Sequence, residues 1–218
     1  PGRVLDLLCG VGHASAILGT LRPEMEIVAA DGDFVNLFLA RNFVAPRGAA
    51  ICIDAELPLP FADSYLDGLF CLDGLHYIRS KVALLREVDR VVNAEGVWLF
   101  AHMHNIDGEN ENPGAPLSAD AYAERFDFGR KRLISESEVL RQFQESGSLD
   151  LTAQSESGSL VSSPALTLVG ARTESLWGKH TCLDDAFCSR PDLLGFNPLY
   201  RVEEVPHGLM LRSEWPSD

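Results

Sequence analysis

The sequence predicts an α/β protein built on a doubly wound, Rossmann-like sheet. Short apolar segments of strand length alternate with longer segments of helical periodicity, a pattern typical of repeated strand, helix and strand units. Two glycines follow the first apolar segment, and an acidic residue ends or follows each of the next two. Because parallel strands bring their carboxyl ends to one edge of a sheet, these observations also predict a ligand site at that edge.

The predicted elements follow one another regularly through the first half of the chain. The third helix begins after Ser80 as its N-cap, carries one apolar face and stops before Gly96. The predicted strands are Val4–Leu8, Glu26–Asp31, Ala50–Ile53, Leu66–Leu72 and Val97–His102. The predicted helices are Ala14–Leu21, Phe34–Phe43 and Lys81–Val92.

The second half of the chain is less regular. A polar excursion over residues 105–133, with a short helix at Ser118–Phe126, is expected to form a lid. A capping box that starts at Ser135 opens a further helix. Leu149–Gln154 and Ala165–Ala171 predict two antiparallel strands, because the segment between them leaves no room for a helical crossover. Residues 1–172 then form one domain, and residues 173–218 form a C-terminal extension with a β-hairpin.

Composition narrows the range of partners. The net charge of −14 repels a polyphosphate, so we expect a small-molecule substrate and no nucleic acid. The basic segment Arg130-Lys131-Arg132 is interpreted as a solvated face rather than an anion site. No apolar run reaches the roughly 18 residues of a membrane span, which predicts no membrane partner.

The cysteines and the N-terminus bear on location and metal content. None of the five cysteines has the C-x2-C spacing of a zinc site, which predicts no metal. Three of them lie in or beside apolar segments, where a reduced thiol behaves as a small hydrophobe, so a reducing, cytoplasmic location is expected. The sequence begins at Pro1 with strand-like residues from Arg3, which indicates neither a signal peptide nor an initiating Met.

The strongest local signal is the segment that runs from Val4 through Asp6 to Gly10 and Gly12. Glycines after a strand let a ligand approach the backbone, and the helix that follows offers free N–H groups. The competing interpretation is a dinucleotide-binding fingerprint, in which a third glycine or alanine is expected. Ser15 stands there instead, which disfavours a nucleotide-dependent oxidoreductase.

Two further carboxylates extend this signal. Asp31 ends the second strand, where it can accept hydrogen bonds from both hydroxyls of a ribose, and Asp54 follows the third strand, where it can accept one from an adenine amino group. The alternative for either residue is that it only caps the following turn. With Asp6, however, three acids stand at successive strand ends, which favours a ligand.

The sequence resembles the class I S-adenosylmethionine-dependent methyltransferases from about Val4 to Phe100. The likeness rests on the segment from Asp54-Ala55-Glu56-Leu57-Pro58 to Asp67, on residues 72–78, and on residues 84–100. It implies S-adenosylmethionine as cofactor and the strand order 3-2-1-4-5-7-6 with strand 7 antiparallel.

The resemblance also implies roles for individual residues. The backbone around Leu8 and Gly10 would hold the amino-acid end of the cofactor, with Asp6 supporting its ammonium. Asp31 would bind the ribose, and Asp54 and the Ala55 N–H would bind adenine. The implied cofactor-binding set is Asp6, Leu8, Gly10, Gly12, Asp31, Asp54, Ala55, Leu72 and Asp73. Two departures are that Leu8 stands where the family usually has glycine, and that the helix before the first strand is missing.

Candidate catalytic residues lie on the acceptor side. His76 follows the fourth strand, where an imidazole can take a proton from an acceptor, or can only pack there. His102 and His104 end the fifth strand and either contact the acceptor or are satisfied polar groups. The excursion adds three aromatic residues that either form an apolar wall for the acceptor or pack onto the domain: Tyr122, Phe126 and Phe128.

The predicted reaction is direct attack by an acceptor atom on the activated methyl, in which the protein mainly orients the reactants and excludes water. The acceptor is not identified and is expected to be a small molecule. The alternatives are a non-catalytic S-adenosylmethionine-binding protein or subunit and, less favoured, a nucleotide-dependent oxidoreductase.

Overall fold

The computed structural model describes residues 2–110, 114–152, 157–181, 200–206 and 208–213. Its centre is a seven-stranded sheet in the order β3-β2-β1-β4-β5-β8-β6, in which β8 runs antiparallel to both neighbours. Counting only the strands of this sheet, the order is 3-2-1-4-5-7-6, so the predicted fold class and topology are confirmed. The strands are β1 (Arg3–Leu7), β2 (Glu26–Asp31), β3 (Ala49–Cys52), β4 (Leu66–Leu72), β5 (Val92–His104), β6 (Arg130–Ser135) and β8 (Ala165–Ala171), and a short β7 (Leu149–Asp150) lies outside the sheet.

Helices connect the strands as the periodicity predicts. A π-helical turn, Ala40–Val44, continues the second helix, and the Ala45 N–H bonds to the Ala40 carbonyl there. Ser80 precedes the third helix as predicted, although its side chain makes no capping hydrogen bond. The α-helices are α1 (His13–Leu21), α2 (Phe34–Leu39), α3 (Lys81–Val91), α4 (Ala119–Arg125), α5 (Glu136–Ser146) and α6 (Ser157–Ser162).

The core lies on both faces of the central strands. Leu5, Leu7 and Leu66 are fully buried, as expected for parallel strands covered by helices on each side. Trp98 of β5 is also fully buried, and its indole lies over β8 at Gly170, where a Cβ atom would come within 2.0 Å of the indole nitrogen. This rigid central sheet positions the loops at its carboxyl edge.

The sixth strand of the sheet differs from the prediction. Arg130–Ser135 forms it, whereas the described part of the predicted strand at Leu149–Gln154 contains only β7, which pairs with β9 (Lys179–His180) outside the main sheet. The predicted pairing of this segment with Ala165–Ala171 was wrong, because β8 pairs with β5 and β6 and a short helix, α6, lies between the two segments. Residues 153 and 154 lie outside the described residues. The buried Arg132 guanidinium donates to the carbonyls of Leu151 and Thr152 at 2.8 and 2.9 Å. The basic segment is therefore an edge strand that is hydrogen-bonded to the segment after β7. Its three charged residues do not show the apolar pattern by which a strand is predicted.

The three aromatic residues of the excursion belong to the core. Tyr122 and Phe126 are fully buried, and the Phe126 ring packs edge-on against Phe100 at 5.0 Å between centroids. The Tyr122 hydroxyl donates to the His104 carbonyl at 3.0 Å. Phe128 packs against Trp98 at 4.9 Å. Of the two alternatives, packing onto the domain is the one observed, because α4 and β6 are integral to the fold rather than parts of a detachable lid.

The chain divides into two compact units, Pro1–Thr181 and Cys182–Asp218. The second unit contains the predicted hairpin, formed by β10 (Tyr200–Val205) and β11 (Gly208–Ser213). Among the described residues, no helix has the length and apolar character that a membrane crossing requires.

Candidate cofactor and acceptor site

The loop after β1 has the backbone shape that a ligand-binding turn requires. Leu8, Gly10 and Gly12 all have positive φ, at 58°, 52° and 79°. A Cβ on Gly10 would meet no described atom within 4 Å, so a ligand has open access to the backbone there. A Cβ on Gly12 would lie 3.0 Å from the Ala40 side chain, so this glycine lets α1 approach the second helix closely.

Asp31 links the glycine loop to the end of β2. Its Oδ2 accepts from the Gly10 N–H at 2.8 Å, and its Oδ1 accepts from the Asp33 N–H at 2.8 Å. These bonds hold the carboxylate at the sheet edge beside the loop, and its contact with a ribose remains a prediction. Asp33, in turn, caps α2 by accepting from the Val35 N–H at 2.8 Å.

Asp6 lies beneath the same loop and is 1% exposed. Its Oδ2 accepts from the Ser15 hydroxyl at 2.6 Å. Burial raises the pKa of this carboxyl to about 6, and the hydrogen bonds from Ser15 offset only part of the shift. A carboxylate whose burial is offset only in part by hydrogen bonds would be stabilised by a nearby cation. This agrees with the implied contact between Asp6 and the cofactor's ammonium.

Asp54 and Ala55 follow β3 at the same edge. Asp54 is exposed, and its Oδ1 accepts from the Glu56 N–H at 2.9 Å, so the residue caps the following turn. The second oxygen accepts none of the hydrogen bonds found among the described residues. Ala55 is buried against the core. The contacts of both residues with adenine remain predictions.

Leu72 and Asp73 lie at the end of β4, on the side where the acceptor is expected. Leu72 is 37% exposed, and Asp73 has φ 58° with its N–H donating to the Ala101 carbonyl at 3.0 Å. The left-handed conformation is sparsely populated by residues other than glycine and clusters at functional sites. It turns the Asp73 side chain outward, where its carboxylate is 61% exposed.

His76 lies behind this edge rather than on it. The residue is completely buried, and neither ring nitrogen has a hydrogen-bond partner among the described residues. Its ring stacks on His104 at 3.6 Å between centroids, and burial, with His104 next in importance, lowers the pKa of His76 to about 4. A direct proton transfer from an acceptor needs exposure that His76 lacks here, so its catalytic role stays a prediction.

A bulge in β5 presents two further histidines at the edge. Phe100 pairs with Leu168 and Met103 with Leu166, so two residues of β5 oppose one of β8. Within the bulge, His102 has φ 52°, and its Nδ1 lies 2.9 Å from a carboxylate oxygen of Glu136. In the sequence Glu136 stands only within the capping box that starts at Ser135, because a contact across 34 positions leaves no local signal.

A groove of about 400 Å³ opens beside Asp73, within the range of small-molecule sites. None of the described residues that line it is Lys or Arg. Its described walls are Asp73, Tyr77, His102, His104, Glu109, Asn110, Glu136, Pro164 and Ala165. The groove therefore has an acidic character with two imidazoles at its inner end.

The glycine loop, the anchored Asp31 and the buried Asp6 fit S-adenosylmethionine, and comparison with known proteins agrees. The family model described as "Methyltransferase domain" matches residues 5–100. Residues 5–100 match a methyltransferase domain, and S-adenosylmethionine is the cofactor that this match and the fold indicate. This match agrees with Ser15 in disfavouring the dinucleotide alternative.

Known methyltransferases resemble this chain in sequence and in fold. The chain is 30% identical over 146 residues to the malonyl-[acyl-carrier protein] O-methyltransferase of Legionella pneumophila, covering 66% of this chain and 51% of that protein. It thus spans about half the length of that relative. A methyltransferase from Aquifex aeolicus shares the fold with a TM-score of 0.57 at 14% identity, covering 78% of this chain and 81% of the other. The CMeT domain of citrinin polyketide synthase matches with a TM-score of 0.58 at 13% identity, covering 80% and 47%.

The leucine in the glycine loop provides a first test of the cofactor contacts. In Leu8→Gly, relief of the left-handed backbone is worth roughly 1 kcal/mol and offsets part of the lost packing of a partly buried side chain. We expect S-adenosylhomocysteine affinity, measured by calorimetry, to stay within about threefold. Leu8→Ala keeps the strained backbone and loses the packing, so it should be the less stable of the two. A tenfold loss in Leu8→Gly would show that the leucine side chain itself contacts the cofactor.

Proposed function

We propose that the chain transfers the methyl group of S-adenosylmethionine to an oxygen of a small-molecule acceptor bound in the groove beside Asp73. The observation that supports this most is the position of the groove. It opens where β4 and β5 end, next to the strands whose loops carry the cofactor-binding residues. Ligands of open α/β sheets bind at the carboxyl ends of the strands.

The protein's part in such a reaction is mainly alignment. S-adenosylmethionine supplies an activated methyl, so an acceptor oxygen forms the new bond to carbon while the bond from carbon to sulfur breaks. The exposed Asp73 carboxylate is placed to accept a hydrogen bond from an acceptor hydroxyl and so to direct its lone pair. The hydroxyl proton then passes to this carboxylate or to water.

The relatives support a second candidate acceptor, a malonyl group on a carrier. Their printed names specify O-methylation of malonyl-[acyl-carrier protein]. The groove argues against a free carboxylate acceptor in the absence of a bound cation, because Asp73, Glu109 and Glu136 would repel it. A neutral hydroxyl compound is therefore the first candidate and a malonyl carboxylate the second.

Transfer of labelled methyl from S-adenosylmethionine tests both candidates. The full chain is incubated with a fractionated metabolite extract and, separately, with malonyl-carrier protein, and labelled products are identified by mass spectrometry. Label in a small hydroxyl compound is the expected result, and label in the malonyl ester would establish the second candidate. Cofactor binding without transfer to any acceptor would instead favour the non-catalytic alternative.

Two further proposals concern the setting of the reaction. The net charge of −14 supports an acceptor other than nucleic acid. The placement of cysteines in apolar segments supports a cytoplasmic location.

A further inference from the structure

Two adjacent strand ends bring three potential metal ligands together at the inner end of the groove. Asp73 follows β4, and His102 and His104 end β5. One ligand atom from each residue lies within 4.8 Å of the other two, and Asp73 Oδ1 is 3.7 Å from His104 Nε2. Two ligands about 2.1 Å from a tetrahedral ion are about 3.4 Å apart, so only a small inward shift is needed to close on a cation.

His104 is the most buried of the three candidate ligands. Its side chain is 10% exposed, and its Nδ1 has no hydrogen-bond partner among the described residues. The 3.7 Å separation of its Nε2 from Asp73 is too long for a hydrogen bond. The Nε2 atom, which faces Asp73, is therefore free to bind a cation between the two groups, whereas the unpaired Nδ1 is the other ring nitrogen and is not a ligand atom of this site.

Glu136 provides the outer support that metal-binding histidines usually have. Its carboxylate accepts from His102 Nδ1 at 2.9 Å. This bond fixes the tautomer that leaves the Nε2 lone pair available, in the carboxylate, histidine and metal arrangement common to such sites. Glu136 is the first residue of α5, so its position is set by a helix rather than by a free loop.

We propose that Asp73, His102 and His104 bind one divalent transition-metal ion, with Glu136 orienting His102. Two imidazoles and one carboxylate favour zinc, manganese, iron or cobalt over magnesium and calcium, which prefer oxygen ligands alone. Three protein ligands leave coordination positions open toward the groove. The cysteine spacing that predicted no metal carries no information about such a site, because its ligands come from two different strands.

The open positions give the ion a role in acceptor recognition, and this part rests on the proposed function. A hydroxyl or carboxylate oxygen of the acceptor would complete the coordination and be held beside the transferred methyl. The ion would also offset the negative charge of Asp73, Glu109 and Glu136, so that an anionic acceptor becomes compatible with the groove.

Metal binding is tested directly on the full chain after chelator treatment and dialysis. We expect Zn²⁺ and Co²⁺ to bind in calorimetry, and Co²⁺ to show visible d–d absorption without a thiolate charge-transfer band. His104→Ala and Asp73→Asn should each weaken binding by about 100-fold or more, and Glu136→Gln by about 10-fold to 100-fold. His13→Ala, at an exposed position at the start of α1, is the matched control and should bind normally.

The outcomes separate this inference from the proposed function. Unchanged thermal melts in Asp73→Asn and Glu136→Gln would show that lost binding is not lost folding. The metal site is overturned if no binding is seen, or if the Asp73 and His104 variants bind as tightly as the wild type. Binding without methyl transfer keeps the site and removes the proposed function, whereas transfer that persists in chelator removes the ion from acceptor recognition.

Discussion

Asp31→Ala is expected to weaken S-adenosylhomocysteine binding by about 100-fold or more. The predicted contacts are two charge-assisted hydrogen bonds to the ribose, each worth about 1.5 kcal/mol or more, which together approach 3 kcal/mol. The structure adds a second cause, because Asp31 Oδ2 also accepts from the Gly10 N–H at 2.8 Å. Removing the carboxylate therefore frees the glycine loop as well as the ribose. Isothermal calorimetry measures the affinity.

Asp33→Ala is the matched control, since it removes a carboxylate two positions away with a different task. Asp33 caps α2 through the Val35 N–H, and its own N–H to Asp31 belongs to the backbone and is retained. The variant should lose about 1 kcal/mol of unfolding free energy while its cofactor affinity changes by less than about threefold. Unchanged affinity in Asp31→Ala, or equal losses in both variants, would show that the ribose lies elsewhere.

Asp6→Asn is expected to change how stability depends on pH. In the folded protein burial raises the Asp6 pKa from 3.8 to about 6. Between about pH 4 and pH 6 the folded chain holds a proton that the unfolded chain has released, so the free energy of unfolding falls as pH rises through this window. The loss amounts to roughly 2 to 3 kcal/mol, and asparagine, which does not titrate, escapes it. Asp6→Asn should therefore gain stability relative to wild type between pH 4 and pH 7 in urea unfolding.

Asp67→Asn is the control for this pH effect. The Arg3 N–H and the Asn93 amide bond to Asp67 and lower its pKa below 3.8, so its contribution to stability is lost only as pH falls below about 4. The difference between Asp67→Asn and wild type should stay constant from pH 4.5 to 7.5. A constant difference for Asp6→Asn over the same range would contradict the raised pKa.

Cofactor affinity should also depend on the protonation state of the Asp6 carboxyl. If the ammonium of the cofactor contacts Asp6, binding requires the charged carboxylate, so wild-type affinity for S-adenosylhomocysteine should fall as pH drops through about 6. Asp6→Asn should bind more weakly at pH 7.5 and lose this pH dependence. An affinity that is equal in the two proteins at pH 7.5 would place the ammonium away from Asp6.

The structure of the first half of the chain was predictable because the sequence signals for its strands, turns and helices are local. A strand that carries Asp6 near its end and is followed by Gly10 and Gly12 contains its own turn signal, and the backbone angles of the glycines agree. The same holds for α3, whose start and apolar face lie within one stretch of chain. Register between neighbouring parallel strands then brings Asp31 to Gly10 without further information.

The structure of the second half of the chain was less predictable because it depends on long-range packing. The edge strand at Arg130 to Arg132 was not predicted because these residues are charged, and its pairing with β8 is seen only in the structure. The burial of Tyr122 and Phe126 depends on where α4 docks, which the local pattern does not contain. The two open alternatives for these aromatics were therefore decided by the fold.

The sequence by itself determined the fold class and the glycine loop after the first strand, because hydrophobic periodicity and turn chemistry act over a few residues, and the resemblance to class I methyltransferases implied the strand order. Only the tertiary structure decided which side chains meet across the groove beside Asp73. Asp73, His102 and Glu136 come from three separate segments and approach one another because β4 and β5 are paired and α5 follows the edge strand β6. Contacts of this kind depend on the sheet's register and on the β5 bulge, which are properties of the assembled sheet.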